Sequence, residues 1–354
     1  MQQLTLKRIA LAIAALVVTA PCAWAQSSVT IYGRVVGGAE YIDKIADPAT
    51  GETHSLKRAA DNQWGTSMLG FKGSEDLGDG LRANFLLESG FGLKGGTTNG
   101  SAFWNRRAYV GLSDPKWGSF RVGKNLLISN DVWFLDPTGQ QFIGSATLVR
   151  GRSWQGANNV FEYSTPDLGG FAATAQIGLG EQAGSSKSLS SAGVSLSYVN
   201  RDLELRAIYS QRYDAAAAYS DVYSFSKEGI VGGTYRFGPA KVFAAYDYIT
   251  APDAALTAPS KVRHGWLGVR YDISTLQLVG AVYHVNTKNL PTDKDADPTM
   301  LVARAMYSLS KRTWLYVSAA HAKADHGQLV GLSRDDPGFA STQTGVTAGI
   351  QHRF

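Results

Sequence analysis

The histidines are the residues from which a hydrolytic centre or a metal site would first be built. A Ser/His or Asp/His cluster could activate a nucleophile, and grouped histidines could bind a metal ion. No recognisable motif contains the six histidines, which are His54, His264, His284, His321, His326 and His352. His321 and His326 could reach one loop together, yet two histidines alone make a weak metal site. We therefore predict neither an enzyme nor a bound metal ion or other cofactor.

The amino-terminal segment, residues 1–25, has the features of a cleaved secretory signal peptide. A positive end is followed by an apolar core at 9–20, which is too short to span a bilayer. Ala23-Trp24-Ala25 matches the small-x-small cleavage rule, so cleavage is predicted between Ala25 and Gln26. The only cysteine would leave with this segment. The mature protein, 26–354, would then contain no disulfide and no thiolate ligand.

Composition and charge narrow the classes of partner. The formal net charge is +5 and no block of Lys and Arg stands out, so nucleic-acid binding has little support. The chain contains 39 Gly, 16 Tyr, 14 Phe and 8 Trp, a composition that favours many strands with aromatic ends. The mean hydropathy is −0.13, and no apolar run after residue 20 approaches the roughly 20 residues of a membrane helix.

Apolar and polar residues alternate along nearly the whole mature chain. The pattern is clear in 28–35, 81–88, 194–198, 203–207 and 346–354. A two-residue period places alternate side chains on opposite faces of a strand, and about ten residues suffice to cross a bilayer when tilted. We predict sixteen strands, at 28–41, 64–74, 81–91, 102–113, 118–125, 156–165, 171–180, 190–199, 203–212, 228–237, 241–250, 262–272, 275–286, 299–309, 313–323 and 342–354.

Long and short connections alternate between these strands. The long ones include 42–63, 126–155, 213–227, 287–298 and 324–341. The short ones carry the Gly, Pro, Asn, Asp and Ser of tight turns. Outer-membrane barrels have short periplasmic turns and longer external loops, and lipid offers no hydrogen-bond partner to an open sheet edge. The layout therefore predicts an all-β fold, a closed antiparallel transmembrane barrel of sixteen strands, with no separate soluble domain.

Seven short motifs are scattered over the mature length in a familiar order. They are SVTIYG at 28–33, GFKGSEDLG at 70–78, LESGF at 87–91, NRRAYVGL at 105–112, NNVFEY at 158–163, LSKRT at 309–313 and HRF at 352–354. Jointly they resemble the trimeric general porins of Gram-negative β-proteobacteria, the group that includes Neisseria and Bordetella porins. The resemblance implies a homotrimer in the outer membrane, with a pore narrowed by the third external loop folding inward. The connection 126–155 falls where that loop should be.

The resemblance also implies which molecules the protein meets. Outer-membrane lipid and lipopolysaccharide would surround the barrel, and small ions and polar solutes would pass through it. The terminal Phe354 looks like the family's signal to the barrel-assembly machinery, although a strand-end aromatic would be an ordinary feature here.

The narrow point of such a pore has a basic wall facing an acidic loop. The resemblance assigns Arg106, Arg107 and Arg152 to the basic wall. Alternation with Ala108 turns Arg106 outward and Arg107 inward, and the sequence leaves open which of them faces the lumen. Five further cations are candidates for the basic wall, because they have the inward phase of the alternation or lie beside the long loop. They are Arg34, Arg82, Lys72, Lys124 and Arg150.

The acidic side has fewer candidates. Asp131 and Asp136 are the only acidic residues in 126–155, and we assign both to the loop side of the constriction. Met68 stands where the resemblance leads us to expect an arginine, which argues against strong anion selectivity. We therefore predict a general diffusion porin for small hydrophilic solutes and ions, with a weak preference for anions. The alternatives are a substrate-specific channel, which a blocking solute would reveal, and a barrel whose surface loops act as an adhesin or receptor.

Overall fold

The structure is a computed structural model, and it describes residues 28–47, 49–139, 141, 143, 156–288, 297–324, 332 and 341–354. The predicted signal peptide with its cleavage point between Ala25 and Gln26 lies outside the described residues, as do Arg150 and Arg152. In the described ranges no helix has the length and apolar character needed to cross a membrane.

In this part of the chain one antiparallel sheet contains every named strand. The strands are β1 (Ser28–Ala46), β2 (Thr53–Asp61), β3 (Ser67–Gly78), β4 (Leu81–Phe91), β5 (Arg107–Asp114), β6 (Gly118–Leu126), β7 (Gly156–Ser164), β8 (Phe171–Gly178), β9 (Ser191–Val199), β10 (Leu203–Arg212), β11 (Lys227–Phe237), β12 (Ala240–Thr250), β13 (Lys261–Ile273), β14 (Leu276–Lys288), β15 (Thr299–Ser308), β16 (Thr313–Lys323) and β17 (Thr342–Arg353).

Two of these strands are halves of one barrel strand. β2 pairs with the second half of β1, and β3 pairs with the first half along the same edge. The break at 62–66 contains Asn62 and Gly65, both with positive φ, and Asn62 accepts a hydrogen bond from the Ser67 N–H. Counting β2 and β3 as one interrupted strand, the barrel has the sixteen strands predicted from the sequence.

The structure corrects two boundaries near these strands. The predicted loop 42–63 is shorter, because β1 continues to Ala46 and β2 occupies Thr53–Asp61. The predicted strand 102–113 begins only at Arg107, so residue 106 precedes the strand.

Pairing of the first and last strands closes the barrel. β1 and β17 align from Arg34 opposite Arg353 to Ile42 opposite Gly345. Both chain ends of the sheet and the tight turns, such as 79–80, 200–202 and 274–275, lie at one end of the barrel, and the long connections lie at the other. Closure leaves no row of unpaired backbone groups facing lipid.

The two faces of the sheet differ in chemistry. Residues directly opposite each other in neighbouring strands share a face, so one phase can be followed around the whole barrel. The outward phase carries exposed apolar side chains, including Val110 (61% exposed), Leu267 (53%) and Leu301 (57%). The inward phase carries Glu88, Arg107, Arg121, Arg206 and other polar groups. This distribution suits a lipid-facing outside and a watery inside.

Candidate functional site

The long connection between β6 and β7 contacts the inside of the opposite wall. The described part of it, 127–139 with 141 and 143, is named here the β6–β7 segment, and it begins with a 3₁₀ helix, Ile128–Phe134. The Trp266 indole N–H donates to the Leu135 carbonyl at 2.9 Å. The Arg304 guanidinium donates to the carbonyls of Thr138 and Ile143 at 3.2 and 3.4 Å. Because β13 and β15 supply these donors, they hold the segment from the far side.

Apolar packing supports the same attachment. Leu135 and Ile143 of the segment are almost completely buried in one cluster with Tyr283 and Met300 of the wall. At Gly268 a Cβ would lie only 2.4 Å from the Pro137 ring, so the bare backbone lets the segment approach β13 closely. Buried aliphatic and aromatic side chains of this size each contribute about 1.5–3 kcal/mol when removed from water.

Asp136 belongs to this attachment. Its side chain is 1% exposed, and its Oδ1 accepts hydrogen bonds from the Tyr283 hydroxyl at 2.9 Å and from the Thr138 N–H and hydroxyl at 2.7 Å. The acidic residue assigned to the constriction by sequence is thus buried on the wall side of the segment. We correct its role from a pore-facing charge to an anchor, since its carboxylate is enclosed by its hydrogen-bond donors.

The other face of the segment borders an opening of about 490 Å³ towards β1 and β3–β8. Among the described residues, the charged side chains that line it are Arg34, Glu88, Arg106, Arg107, Arg121, Asp131 and Glu162. Four guanidinium groups therefore meet three carboxylates here. Met68, Tyr109 and Trp133 are among the neutral lining residues.

Glu88 organises one corner of the opening. It is 2% exposed, its Oε1 lies 2.6 Å from Arg106 Nε, and its Oε2 accepts from the Tyr32 hydroxyl at 2.9 Å. It stands directly opposite Arg107 in the β4–β5 register. Arg107 therefore has the inward phase, and Arg106, one residue before the strand, also reaches the inward-facing Glu88. The choice between the two arginines disappears, because both line the opening.

A second ion pair lies on the neighbouring strands. Arg121 Nη1 is 2.6 Å from Glu162 Oε1, and the Arg121 guanidinium sits 5.5 Å from the centre of the Tyr109 ring. The amides of Asn125 and Gln176 donate to Glu162 Oε2 at 2.9 and 2.8 Å. These donors hold the Glu162 carboxylate in place, and the carboxylate in turn fixes the position of the Arg121 guanidinium.

Asp131 is the acidic group of the segment that lines the opening. Its Oδ2 is 3.8 Å from Arg206 Nη1, and the same guanidinium lies 3.7 Å from the centre of the Phe134 ring. Burial raises the pKa of the Asp131 carboxyl, while a hydrogen bond from Ser195 and the charge of Arg206 act in the opposite direction. Arg206 thus holds the 3₁₀ helix by charge and by a cation–π contact.

Arg34 and Lys72 lie on the inward face of the wall. Arg34 donates to the Thr66 carbonyl at 3.0 Å and lines the opening, opposite Met68 in the register. Lys72 faces inward four residues beyond Met68 on β3, with its ammonium 5.5 Å from the Tyr32 ring centre.

Arg82 and Lys124 do not join the cluster. Arg82 faces inward, but it donates to Ser74 near the tight turn, six residues and about 20 Å along the strand from Glu88. Lys124 stands opposite Ala108, in phase with the outward Val110, and donates to the Asn158 side chain. Lys124 brackets the long loop as expected, yet its position in the β5–β6 register turns it away from the lumen.

Sequence reasoning missed Glu88, Arg121, Glu162 and Arg206 as parts of the site. A signal was available for Arg121, Glu162 and Arg206, because each is a charge between apolar or aromatic neighbours in an alternating strand, and Glu88 has the same phase as Arg82 and Asn84 in β4. Within the apolar band of a lipid-exposed sheet such a charge is expected to face the lumen. No set of three or more His, Cys, Asp or Glu side chains that could hold a metal ion occurs among the described residues.

Comparison with known proteins agrees with this architecture. A family model described as Gram-negative porin matches residues 12–327. An outer membrane porin protein of Bordetella pertussis is 28% identical, covering 99% of this chain and 100% of the relative. Outer membrane porin protein 32 of Delftia acidovorans is also 28% identical, over 94% of this chain and 95% of the relative.

A solved structure leads to the same family. An anion-selective porin from Comamonas acidovorans superimposes with a TM-score of 0.76 at 25% identity, covering 93% of this chain and all of that chain. The chain therefore belongs to the Gram-negative porin family, whose members are channels rather than enzymes, and it is a porin of the bacterial outer membrane.

Proposed function

We propose that this porin is a general diffusion channel whose narrow point lies between the β6–β7 segment and the arginine-bearing wall, and that it weakly prefers anions. The observation that carries the proposal is the lining of the opening, where four guanidinium groups outnumber three carboxylates. Selectivity in wide pores depends on charged side chains at the constriction. The small excess of positive charge supports a weak preference, and Met68 in place of a further cation keeps it weak.

Similarity supports the same sign of selectivity. The Comamonas acidovorans structure carries the description anion-selective, and we extend that property to this chain on the strength of its own arginines. We also infer that the chain has no catalytic activity, since its established relatives are porins.

A liposome-swelling assay tests the proposed function. Liposomes that contain the refolded protein are placed in isotonic solutions of a neutral, an anionic and a cationic solute of matched size. We expect all three to enter, with the anion moderately faster than the cation. Entry of one solute only, or none, would contradict a general diffusion channel.

Acidification should strengthen the anion preference. Burial raises the pKa of Asp131, so as the pH falls this carboxylate loses its charge before ordinary exposed carboxylates do. The opening then holds fewer negative charges and the chloride preference rises. Reversal potentials measured at pH 7 and at mildly acidic pH should show this rise, whereas Asp131→Asn should begin with the higher preference and change less. Equal pH dependence in both proteins would refute the assignment.

We further propose a homotrimer with β1 and β17 near the interface. Members of the family are generally trimeric, and small residues face outward on these strands, with Ala39 directly opposite Ala348 and with Gly33 and Gly37 on the same face of β1. Small side chains let backbones approach closely. Cross-linking in detergent should give trimers; monomers alone would count against the proposal.

The chain ends would serve export and assembly. We propose that residues 1–25 are removed as a signal peptide, and that the outward-facing Phe354, whose backbone pairs with Gly33 at 3.0 and 3.1 Å, is read by the barrel-assembly machinery. Phe354→Ala should lower the amount of folded protein in the outer membrane of cells severalfold, while refolding of the purified chain in detergent stays close to wild type. A parallel loss in both settings would show that Phe354 acts only through barrel stability.

A further inference from the structure

The outer surface of the barrel has a cationic rim on one side. Lys261, Arg263 and Lys323 lie on the outward phase of β13 and β16, at the end that carries the long connections. Across β12–β17 the outward positions of the described strands contain no Asp or Glu. This side of the rim is therefore complementary to negative charge.

A groove leads down from the rim over the apolar band. It encloses about 670 Å³ between β12, β13 and β14, and its lining includes Tyr246, Arg263, Leu267, Val282 and His284. Its floor is open because of Gly265, where an added Cβ would meet no atom closer than 3.8 Å. The groove is apolar below, where Leu267 and Val282 are exposed, and cationic above, where Arg263 is exposed.

The height of Arg263 fits the outer lipid headgroups. Arg263 is eight residues from Tyr271, which lies at the opposite, tight-turn end of β13. Eight residues span about 27 Å of strand, or about 20 Å along the membrane normal at a 40° tilt. The lipid-facing apolar band of such barrels is about 25 Å tall, so its outer border lies about 5 Å above the Arg263 backbone when counted from Tyr271, within reach of the long side chain.

The guanidinium of Arg263 is available to a ligand. It forms no ion pair or hydrogen bond with any residue that the structure describes. The carboxylate of Asp297, which precedes β15, accepts hydrogen bonds from the Asn286 amide at 3.2 Å and the Thr287 N–H at 2.8 Å. His284 is oriented by a 2.9 Å hydrogen bond between its Nδ1 and the Thr299 hydroxyl.

We propose that this groove is a specific binding site for lipopolysaccharide, in which Arg263 pairs with a phosphate of the lipid A headgroup and one acyl chain lies over Gly265 against Leu267 and Val282. An acyl chain supplies the apolar contact and a headgroup phosphate supplies the charge, and guanidinium–phosphate pairs are strong and directional. The assignment depends on the outer-membrane location and not on the selectivity of the pore.

Binding of lipid A to the delipidated, refolded protein tests the site. Titration with lipid A in detergent, followed by native mass spectrometry, is done for wild type, Arg263→Glu, Gly265→Leu and the control Arg201→Glu, which changes an exposed cation at a tight turn. We expect Arg263→Glu and Gly265→Leu each to weaken binding at least about tenfold, and Arg201→Glu to bind as wild type does. Single-channel conductance should be unchanged in all four, which confirms folding and separates this result from the pore proposal.

Each other outcome overturns the assignment. Wild-type binding by both groove variants would mean that the groove is not used. Loss in Arg263→Glu alone would indicate a site for a free anion without an acyl chain, and equal loss in Arg201→Glu would indicate nonspecific charge attraction. Should Gly265→Leu refold poorly, Gly265→Ala with Arg263→Gln repeats the comparison with smaller changes.

Discussion

Arg107→Glu is expected to turn the weak anion preference into a clear cation preference. The substitution changes the lining of the opening from four guanidinium groups and three carboxylates to three and four. Two units of charge at about 6 Å from a permeating ion change its energy by about 1.4 kcal/mol in water without salt, and by about half of that at physiological ionic strength. Because chloride is destabilised while potassium is stabilised, the permeability ratio changes by about 1.3 kcal/mol, or about tenfold. The reversal potential across a KCl gradient measures this change directly.

A matched variant separates the effect of the position of the charge from the effect of the charge change itself. Arg82→Glu makes the same change on the inward face of β4, where Arg82 is bonded to Ser74 near the tight turn. At about 20 Å from the constriction the charge is screened by more than a Debye length at physiological salt. We expect less than a twofold change in the permeability ratio. An equal shift in both variants would show that the whole lumen, and not this cluster, sets selectivity.

Trp266→Ala is expected to raise the single-channel conductance about twofold and to make it noisier, because removing an occluding segment widens the path for ions. The indole donates to the Leu135 carbonyl and packs beside Tyr283 under the β6–β7 segment. Its loss leaves a buried carbonyl without its donor and a cavity, at a cost of about 3–5 kcal/mol to the local packing. The strand pairings that close the barrel are untouched, so the channel should still form.

The control for this change is another inward-facing tryptophan. Trp314 lies on β16, opposite Gln351 of β17. Its ring centre is 4.8 Å from the Arg353 guanidinium, whereas Trp266 contacts the β6–β7 segment. Trp314→Ala should leave conductance and current noise close to wild type. Unchanged conductance in Trp266→Ala would mean that the segment does not limit ion flow.

The sequence predicted the fold well because the membrane imposes a simple rule on every strand. Alternate residues must meet lipid, so the phase of Arg34 and Arg107 could be read without any knowledge of their neighbours. The interruption between β2 and β3 could not be read, because it depends on Asn62 and Gly65 adopting positive φ within one strand that still pairs with β1.

The site was less predictable because its partners are distant in sequence. Asp136 looked like a pore charge until Tyr283, which is 147 residues away, proved to hold it. Arg106 lies just before β5, where alternation no longer applies, and its direction is set by Glu88. Lys124 was grouped by its place beside the long loop, whereas its register opposite Ala108 decides its face.

Planar-bilayer recording of the refolded wild-type protein tests the central claim, a water-filled channel lined by this arginine-rich opening. We expect large ohmic conductance steps in groups of three and a reversal potential across a KCl gradient that modestly favours chloride. Correctly folded barrels that give no steps would contradict the channel, and a clear preference for potassium would contradict the arginine-rich opening as its selectivity filter.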